Sequence, residues 1–228
     1  MHLAPLLALA LAAAPGPQHF ELAPKDDGWT QVRSDQDVVV FSKAFPGSGV
    51  YGLRSDGVID APLIRVVALM LDLKHMSQWV DRLAEERMVR QLDAMSYVEY
   101  NHFRLPLILS DRDFLTKVQI KLLPEARSFA MEAHTTEDEL QPVGDPVRGE
   151  LHSYYLMTAI EGGAKTRLQV IYVMDPKGSI PQFVVNSYSK DWPVGTYVGI
   201  RKRAKSDAVR EPEEFKVVFD ALRKMSAP

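Results

Sequence analysis

The sequence predicts an α+β domain in which a curved antiparallel sheet is crossed on its open side by a long helix. Three observations lead to this fold class. Six strand-like segments between Glu85 and Asp175 follow one another across mostly short turns, which favours an antiparallel meander. A helical segment over 60–72 precedes them, and a second one over 178–204 follows the last strand.

Composition places the chain among ordinary globular proteins. It has 228 residues, of which 46% are hydrophobic and 25% are charged, enough for one domain of moderate size with its own core. The net charge of −3, from 27 basic and 30 acidic residues, leaves no basic surface for broad nucleic-acid binding, so no nucleic-acid partner is expected. The absence of cysteine excludes disulfides, thiolate catalysis and thiolate metal sites.

The first twenty residues resemble a targeting signal. The run from Leu3 to Ala14 is almost wholly apolar, too short to span a bilayer, and rich in small residues near its end. We predict a signal peptide over 1–20, a linker over 21–27, and a periplasmic or secreted protein. Only the terminal amine and His2 are basic candidates ahead of the run, so an uncleaved anchor and a misassigned start codon stay open as alternatives.

The elements follow in chain order. Two strand-like runs lie within 29–42 and a third within 50–60. Asp60 is the expected N-cap of a helix with Pro62 in its first turn, and a short helical piece follows at 75–80. Further strands are predicted at 86–92, 96–104, 112–121, 127–134, 149–160 and 164–174, with a loop over 135–148.

Two C-terminal segments have helical patterns. The helix over 178–204 begins near Pro181, and Pro193 is expected to kink it or split it at Trp192. Residues 206–228 predict one more amphipathic helix, an extension of the domain. Its apolar stripe consists of Phe215, Val218, Phe219 and Leu222.

Glycines at 47, 49 and 52 match the spacing of a dinucleotide-binding loop, but we reject that interpretation. The loop binds pyrophosphate only where a helix N-terminus follows the glycines. Here β-branched and aromatic residues follow and predict a strand.

Three segments together carry a family resemblance. They are the sequence LPLILSDRDF over 105–114, Trp79 followed by a strand, and Lys165-Thr166-Arg167 leading through a strand to Gly178-Ser179-Ile180-Pro181. In type and spacing they resemble the START (steroidogenic acute regulatory protein-related lipid transfer) domain over about 28–205. The resemblance implies a helix-grip fold, in which the sheet surrounds a hydrophobic tunnel for one lipid and the C-terminal helix closes it.

Alternation along the strands indicates which side chains face such a tunnel. The inward set combines aromatic and methionine side chains with a few polar groups, as lipid sites do, although a filled core has the same pattern. The predicted ligand-binding residues are Trp79, Tyr97, Glu99, Asn101, Phe103, Phe114, Thr116, Val118, Met131, Tyr155, Met157, Tyr172, Phe183, Val184 and Ser187.

Glu99 is the most informative of these residues, because an inward carboxylate is costly unless it has a partner. Cholesterol-binding members of the family have an acid here and an arginine on the next strand, where this chain has Val118. Glu99 therefore finds another donor such as Asn101 or Tyr97, is protonated, contacts ligand, or lies exposed.

The segment over 105–114 supplies two further predictions. Arg112 and Asp113 are expected to be structural, fixing a loop through charge-assisted hydrogen bonds. The apolar residues before them form a loop that the resemblance places at the tunnel mouth, as a gate in transient contact with membranes; packing under the last helix is the alternative. The gate loop comprises Leu105, Pro106, Leu107, Ile108 and Leu109.

Signals for catalysis are weak. The six histidines are scattered, and neither a zinc-protease motif, a nucleophile elbow nor a phosphate-binding loop occurs. We expect no catalytic residue, metal or cofactor, and a monomer that carries a lipid of the sterol or phospholipid class. A helix-grip enzyme of the cyclase or aromatase type acting on a hydrophobic polyketide-like substrate is the alternative, and a fully packed interaction module is the third.

Overall fold

In a computed structural model of the chain, residues 28–44, 50–105, 110–137, 144–180, 185 and 190–226 are described. Ten strands of this part form one sheet. They are β1 (Thr30–Asp35), β2 (Val38–Ala44), β3 (Tyr51–Ile59), β4 (Leu83–Asp93), β5 (Ser96–Phe103), β6 (Arg112–Leu123), β7 (Ser128–Thr135), β8 (Val147–Arg148), β9 (Glu150–Ile160) and β10 (Lys165–Asp175).

The sheet is antiparallel along its whole path. The strand order is β1-β2-β3-β10-β9-β7-β6-β5-β4, with β8 joined to β6 off this path. The predicted strands are confirmed to within a few residues, but the segment over 135–148, predicted as a loop, contains β8, which pairs with β6 in parallel. The meander from β4 to β7 follows from the short turns, and β3 joins β10 to bring the N-terminal strands into the same sheet.

Strand β10 illustrates how alternation sorts the side chains. Leu168, Val170 and Tyr172 point inward and are buried. On the opposite face, Arg167 and Gln169 donate hydrogen bonds to the Asp56 carboxylate on β3. The apolar face therefore packs inward while the polar face forms ion pairs across the outside of the sheet.

Helix α1 (Leu63–Leu71) fills one part of the concave side. Seven of its nine residues are buried, and it packs against β7, β9 and β10. The predicted N-cap was wrong: the helix begins at Leu63, and Pro62 holds the N-cap position with no side-chain cap hydrogen bond. Pro62 has the extended backbone of an N-cap residue, and its carbonyl oxygen accepts the first hydrogen bonds of the helix from the Arg65 and Val66 amides, so the helix starts without a side-chain cap. The predicted helical piece at 75–80 is a 3-10 turn over Leu73–Gln78.

Helix α2 (Trp192–Ala204) lies close against the sheet. Its first turn contains Pro193, where proline is tolerated, and the helix begins at Trp192. Most of the first half of the predicted helix over 178–204 lies outside the described residues, so its split at Trp192 stays a prediction. A Cβ atom at Gly57 would lie 2.7 Å from the Tyr197 ring, and one at Gly199 would lie 2.3 Å from the Trp79 carbonyl oxygen. Only glycine permits these approaches.

Helix α3 (Lys216–Ser226), preceded by a 3-10 turn over Glu213–Phe215, covers the end of the concave face beside β5. The predicted apolar stripe is buried throughout. The Phe215 ring meets the Tyr97 ring edge-on at 5.3 Å between centroids, and Gln91 Nε2 donates to the Glu214 carbonyl oxygen. The C-terminal segment is thus part of the domain's own core.

The predicted signal peptide and linker lie outside the described residues. Among the helices of the described segments, none is long and apolar enough to cross a membrane.

Candidate functional site

The strand register places the predicted site residues on one face of the sheet. Between β5 and β6, Glu99 lies opposite Thr116, and Asn101 lies opposite Phe114. Across the following strands the pairing sets Ile120 beside Met131 and Met131 beside Tyr155. The concave face, defined by these inward positions of β4–β7, β9, β10 and β3, therefore brings the predicted strand residues together.

The concave face has a packed part and an open part. Tyr97, Val118 and Met157 retain no exposed surface, so they belong to the packed part with α1 and α3. Tyr155, Leu151 and other partly buried side chains flank the same core but keep exposed surface. Burial also raises the pKa of Tyr155, so its hydroxyl lies in apolar surroundings although the side chain keeps some exposed surface. That open part is the candidate ligand site.

An aromatic cluster borders the open part. Trp192 at the start of α2 meets the Tyr172 ring at 5.2 Å and the Phe103 ring at 6.5 Å between centroids, both edge-on. Phe103 in turn meets Phe114 at 5.9 Å. Sequence analysis used Trp192 only as a helix break and missed its place beside the site, because its contacts come from strands distant in sequence.

Glu99 is buried in this site and bonded to neutral partners. Thr116 Oγ1 and Asn101 Nδ2 donate hydrogen bonds to Glu99 Oε1 at 3.0 and 3.4 Å. Burial raises the pKa of Glu99, and these hydrogen bonds oppose that rise only in part. Of the alternatives for this residue, the exposed position is wrong. Val118 lies two residues along β6 from Thr116 and supplies no charge to Glu99.

Glu86 on β4 is a second acidic residue of the site, and sequence analysis missed it. It lies opposite Asn101 and so shares the concave face with Glu99. Burial raises the pKa of Glu86 well above its ordinary value, and the nearby Glu99 charge raises it further. Two carboxyl groups near each other out of water disfavour each other's ionisation, so each loses its proton less readily than an exposed glutamic acid does.

Two tyrosines complete the polar cluster. Burial, and then the charges of Glu99 and Glu86, raise the pKa values of Tyr97 and Tyr155. Within the described part of the chain, the fully buried Tyr97 hydroxyl makes no hydrogen bond of normal geometry, although it faces Glu99. The cluster is therefore a group of acidic side chains with raised pKa values within an apolar surface.

These pKa shifts predict a pH-dependent stability. Between the ordinary glutamic acid pKa, about 4.3, and the raised pKa of Glu86, the folded protein holds a proton that the unfolded chain has released. The free energy of unfolding therefore falls as pH rises through this window. We expect Glu86→Gln to be more stable than the natural protein at about pH 8 and equally stable at about pH 4. The gain in the free energy of unfolding at about pH 8 should be about 1.4 kcal/mol for each unit by which folding raises the Glu86 pKa.

Urea denaturation at both pH values measures this difference. Glu85→Gln is the matched control, because Glu85 lies on the opposite face of β4 and accepts a hydrogen bond from Arg87 Nε at 2.7 Å. It should leave the pH slope unchanged. A Glu86→Gln variant with the natural slope would contradict the assigned burial of the carboxyl.

Arg112 and Asp113 hold backbone segments together beside this site. Arg112 Nε and Nη2 donate to the carbonyl oxygens of Pro176 and Lys177 at 2.6 and 3.1 Å. Asp113 is fully buried and accepts two hydrogen bonds from Arg148 on β8. Arg112 thus binds the backbone after β10, and Asp113 binds Arg148. Both are charge-assisted hydrogen bonds that hold loops in place, as the predicted structural role requires.

The other predicted site residues lie away from the polar cluster or outside the described residues. Trp79 is buried in the core at the end of the 3-10 turn. In the predicted gate loop, the Leu105 amide donates a hydrogen bond to Asp111 Oδ1 at 3.2 Å. The remaining gate-loop residues, Pro106 to Leu109, lie outside the described residues, as do Phe183, Val184 and Ser187. Ligand contact by all the predicted residues stays a prediction.

Comparisons with known proteins bear on the fold and the family. An uncharacterized protein of Pseudomonas aeruginosa is 24% identical over 183 residues, which cover 78% of this chain and 88% of that protein. A STAR-related lipid transfer protein fragment from Xanthomonas axonopodis superposes with a TM-score of 0.72 at 19% identity, over 79% of this chain and 100% of the fragment. Human StAR-related lipid transfer protein 5 superposes with a TM-score of 0.73 at 21% identity. The superposition covers 79% of this chain and 88% of that protein.

These similarities confirm the predicted helix-grip fold, with its curved antiparallel sheet and C-terminal helix. The sequence model of the START domain matches residues 21–201, most of the chain. The chain therefore belongs to the START domain family.

Proposed function

We propose that the chain binds one hydrophobic lipid on the open part of the concave face and carries it through aqueous space without changing it chemically. One observation supports this most: apolar and aromatic side chains that keep exposed surface lie beside a buried polar cluster on the same face. Ligand sites are typically apolar with a few polar groups that orient the ligand. The fold is also that of proteins described as lipid transfer proteins.

The polar cluster narrows the proposed ligand class. A phosphate group beside Glu86 and Glu99 would add negative charge to a site where two carboxyls already suppress each other's ionisation. A hydroxyl group can donate a hydrogen bond to either carboxyl at little cost. Of the sterol and phospholipid classes, the cluster therefore favours a sterol-like lipid whose polar end is a hydroxyl.

Transport requires a compartment and a route. The predicted signal peptide supports a periplasmic or secreted carrier, and the predicted gate loop supports transient contact with a membrane during loading. We include a monomeric carrier in the proposal, because one domain that encloses its ligand needs no second copy to exclude water.

The direct test is lipid extraction from full-length protein purified without detergent. The extract is compared by mass spectrometry with extracts of buffer and of an unrelated protein. We expect a near-stoichiometric hydroxyl-bearing lipid after incubation with phosphatidylcholine vesicles that contain sterol. A blank extract from these vesicles would overturn the carrier proposal, and stoichiometric phosphatidylcholine in place of sterol would overturn the ligand class.

Matched variants test the cluster itself. Glu86→Gln and Glu99→Gln keep the size of each side chain but remove its ability to ionise, and each is expected to change sterol uptake from the vesicles at least about threefold, since one altered hydrogen bond is worth about 1 kcal/mol. Glu85→Gln, on the other face of the same strand, should retain natural uptake. If all three variants took up sterol as the natural protein does, the polar end of the ligand would not contact Glu86 or Glu99.

A cyclase or aromatase-type enzyme remains the second candidate, because the cluster has more polar groups than sequence analysis expected. A carboxyl with a raised pKa beside tyrosines has the composition of an acid-base site. Incubation with a linear poly-β-ketone distinguishes the two functions. Ring closure with loss of water, abolished in Glu86→Gln and Glu99→Gln, would favour the enzyme; recovery of unchanged compound would favour the carrier.

A further inference from the structure

The convex face of the sheet, opposite the candidate ligand site, contains a cluster of metal-binding residue types. Glu132 and His134 are two residues apart on β7 and so share one face, while Met131 and Ala133 between and beside them are buried inward. His152 on β9 lies directly opposite His134. The strand register therefore brings one carboxylate and two imidazoles to a single spot.

The distances within this cluster suit one ion. One ligand atom from each of the three residues lies within 4.8 Å of the others, and His152 Nε2 is 3.7 Å from Glu132 Oε1. In a tetrahedral zinc site with bonds of about 2.0–2.1 Å, neighbouring ligand atoms are about 3.4 Å apart. Small side-chain rotations therefore bring the three atoms to bonding geometry.

Two features show which ligand atoms of the cluster are available to a cation. Lys121 Nζ lies 3.3 Å from Glu132 Oε2, which leaves the other oxygen, Oε1, on the side of His152. Among the described residues, His134 Nδ1 is buried and has no hydrogen-bond partner. A buried ring nitrogen without a partner is unusual in a folded protein, and a metal ion would supply the missing interaction.

We propose that Glu132, His134 and His152 bind a divalent transition-metal ion of the zinc type, with a fourth position left for water. Two imidazoles and a carboxylate form a ligand set that suits zinc, and the side chains of Glu132 and His152 keep 12% and 17% of their surface exposed, enough for an ion to enter. The bound ion joins β7 to β9 directly behind the concave face. The site is independent of the proposed lipid function.

Titration of metal into the protein tests this site. Full-length protein without a polyhistidine tag is treated with a chelator, dialysed, and titrated with Zn²⁺ in a calorimeter. We expect one Zn²⁺ per chain, a higher thermal unfolding midpoint with Zn²⁺ than with Mg²⁺, and a tetrahedral absorption spectrum when Co²⁺ replaces zinc.

Three variants assign the ligands. His134→Ala and His152→Ala should each weaken Zn²⁺ binding by more than about tenfold while leaving the circular dichroism spectrum unchanged. His75→Ala is the control, because His75 is half-exposed beside Asp72 and lies outside the cluster. Natural affinity in His134→Ala or His152→Ala, or no zinc binding by the natural chain, would overturn the proposal. Glu132→Gln tests the carboxylate and should weaken binding without changing the fold.

Discussion

Replacing Arg148 with alanine is expected to lower the free energy of unfolding by about 3–5 kcal/mol. Its partner Asp113 has no exposed surface, and Arg148 Nε and Nη2 donate to the two carboxylate oxygens at 3.0 and 2.9 Å. Without the guanidinium, the buried carboxylate loses both side-chain donors, which is far costlier than the loss of an exposed ion pair. Urea denaturation measures the loss as a lower midpoint at unchanged slope.

Two further variants test whether the buried charge of Asp113 causes the loss of stability. Arg167→Ala removes a similar arginine–aspartate pair with Asp56, but both of these side chains are partly exposed, so the expected loss is at most about 1 kcal/mol. Adding Asp113→Asn to Arg148→Ala should recover part of the stability, because the neutral amide is cheaper to bury. Equal losses in Arg148→Ala and Arg167→Ala, or no recovery in the double variant, would show that the buried charge is not the cause.

Phe219→Ala is expected to destabilise the fold by about 3–5 kcal/mol as well. The Phe219 side chain is 1% exposed and lies in the main hydrophobic core, although it belongs to helix α3, outside the range that the START-domain sequence matches. Removing its ring deletes apolar contacts and leaves a cavity that a fixed sheet and α1 cannot close. Chemical denaturation monitored by tryptophan fluorescence gives the difference.

Val217→Ala is the control for this variant, because Val217 is 57% exposed on the same helix. Its effect should stay within about 0.5 kcal/mol. If Phe219→Ala lost less than about 1 kcal/mol, helix α3 would be an appendage whose packing contributes little to the stability of the domain.

Regular alternation made most of the sheet predictable. On β6 and β10 the inward positions follow strictly every second residue, and Thr116, Val118, Leu168 and Val170 all lie on the predicted face. The inward face of such a strand can be predicted from one sequence, because strict alternation of apolar and polar residues is typical of a half-buried strand.

Alternation fails on β4, and this failure concealed half of the acidic site. The pairing with β5 shifts between Leu83 and Glu85, between Met88 and Arg90, and again between Gln91 and Asp93. Each shift moves the following side chains to the other face. Nothing in the run Glu85-Glu86-Arg87 tells which acid turns inward, so Glu86 could be assigned only from the strand register.

Contacts between distant segments were unpredictable for a similar reason. His134 and His152 face each other only because β7 pairs with β9 in one particular register, so no short motif marks the cluster. Trp192 joins the aromatic border through the position of α2 over the sheet. Helix α3 had a clear amphipathic pattern, but a pattern does not tell which surface the apolar stripe covers.

The contacts of the C-terminal segment 213–226 with β4 and β5 also govern the order in which the domain can be completed. Residues 213–226 are synthesised after all ten strands, yet Gln91 bonds to Glu214 across 123 positions of sequence, and Phe215 covers Tyr97. A nascent chain that ends within β10 therefore exposes apolar side chains at one end of its sheet. Closure between segments so distant in sequence slows folding, because the entropy of the intervening loop must be lost before the contact forms.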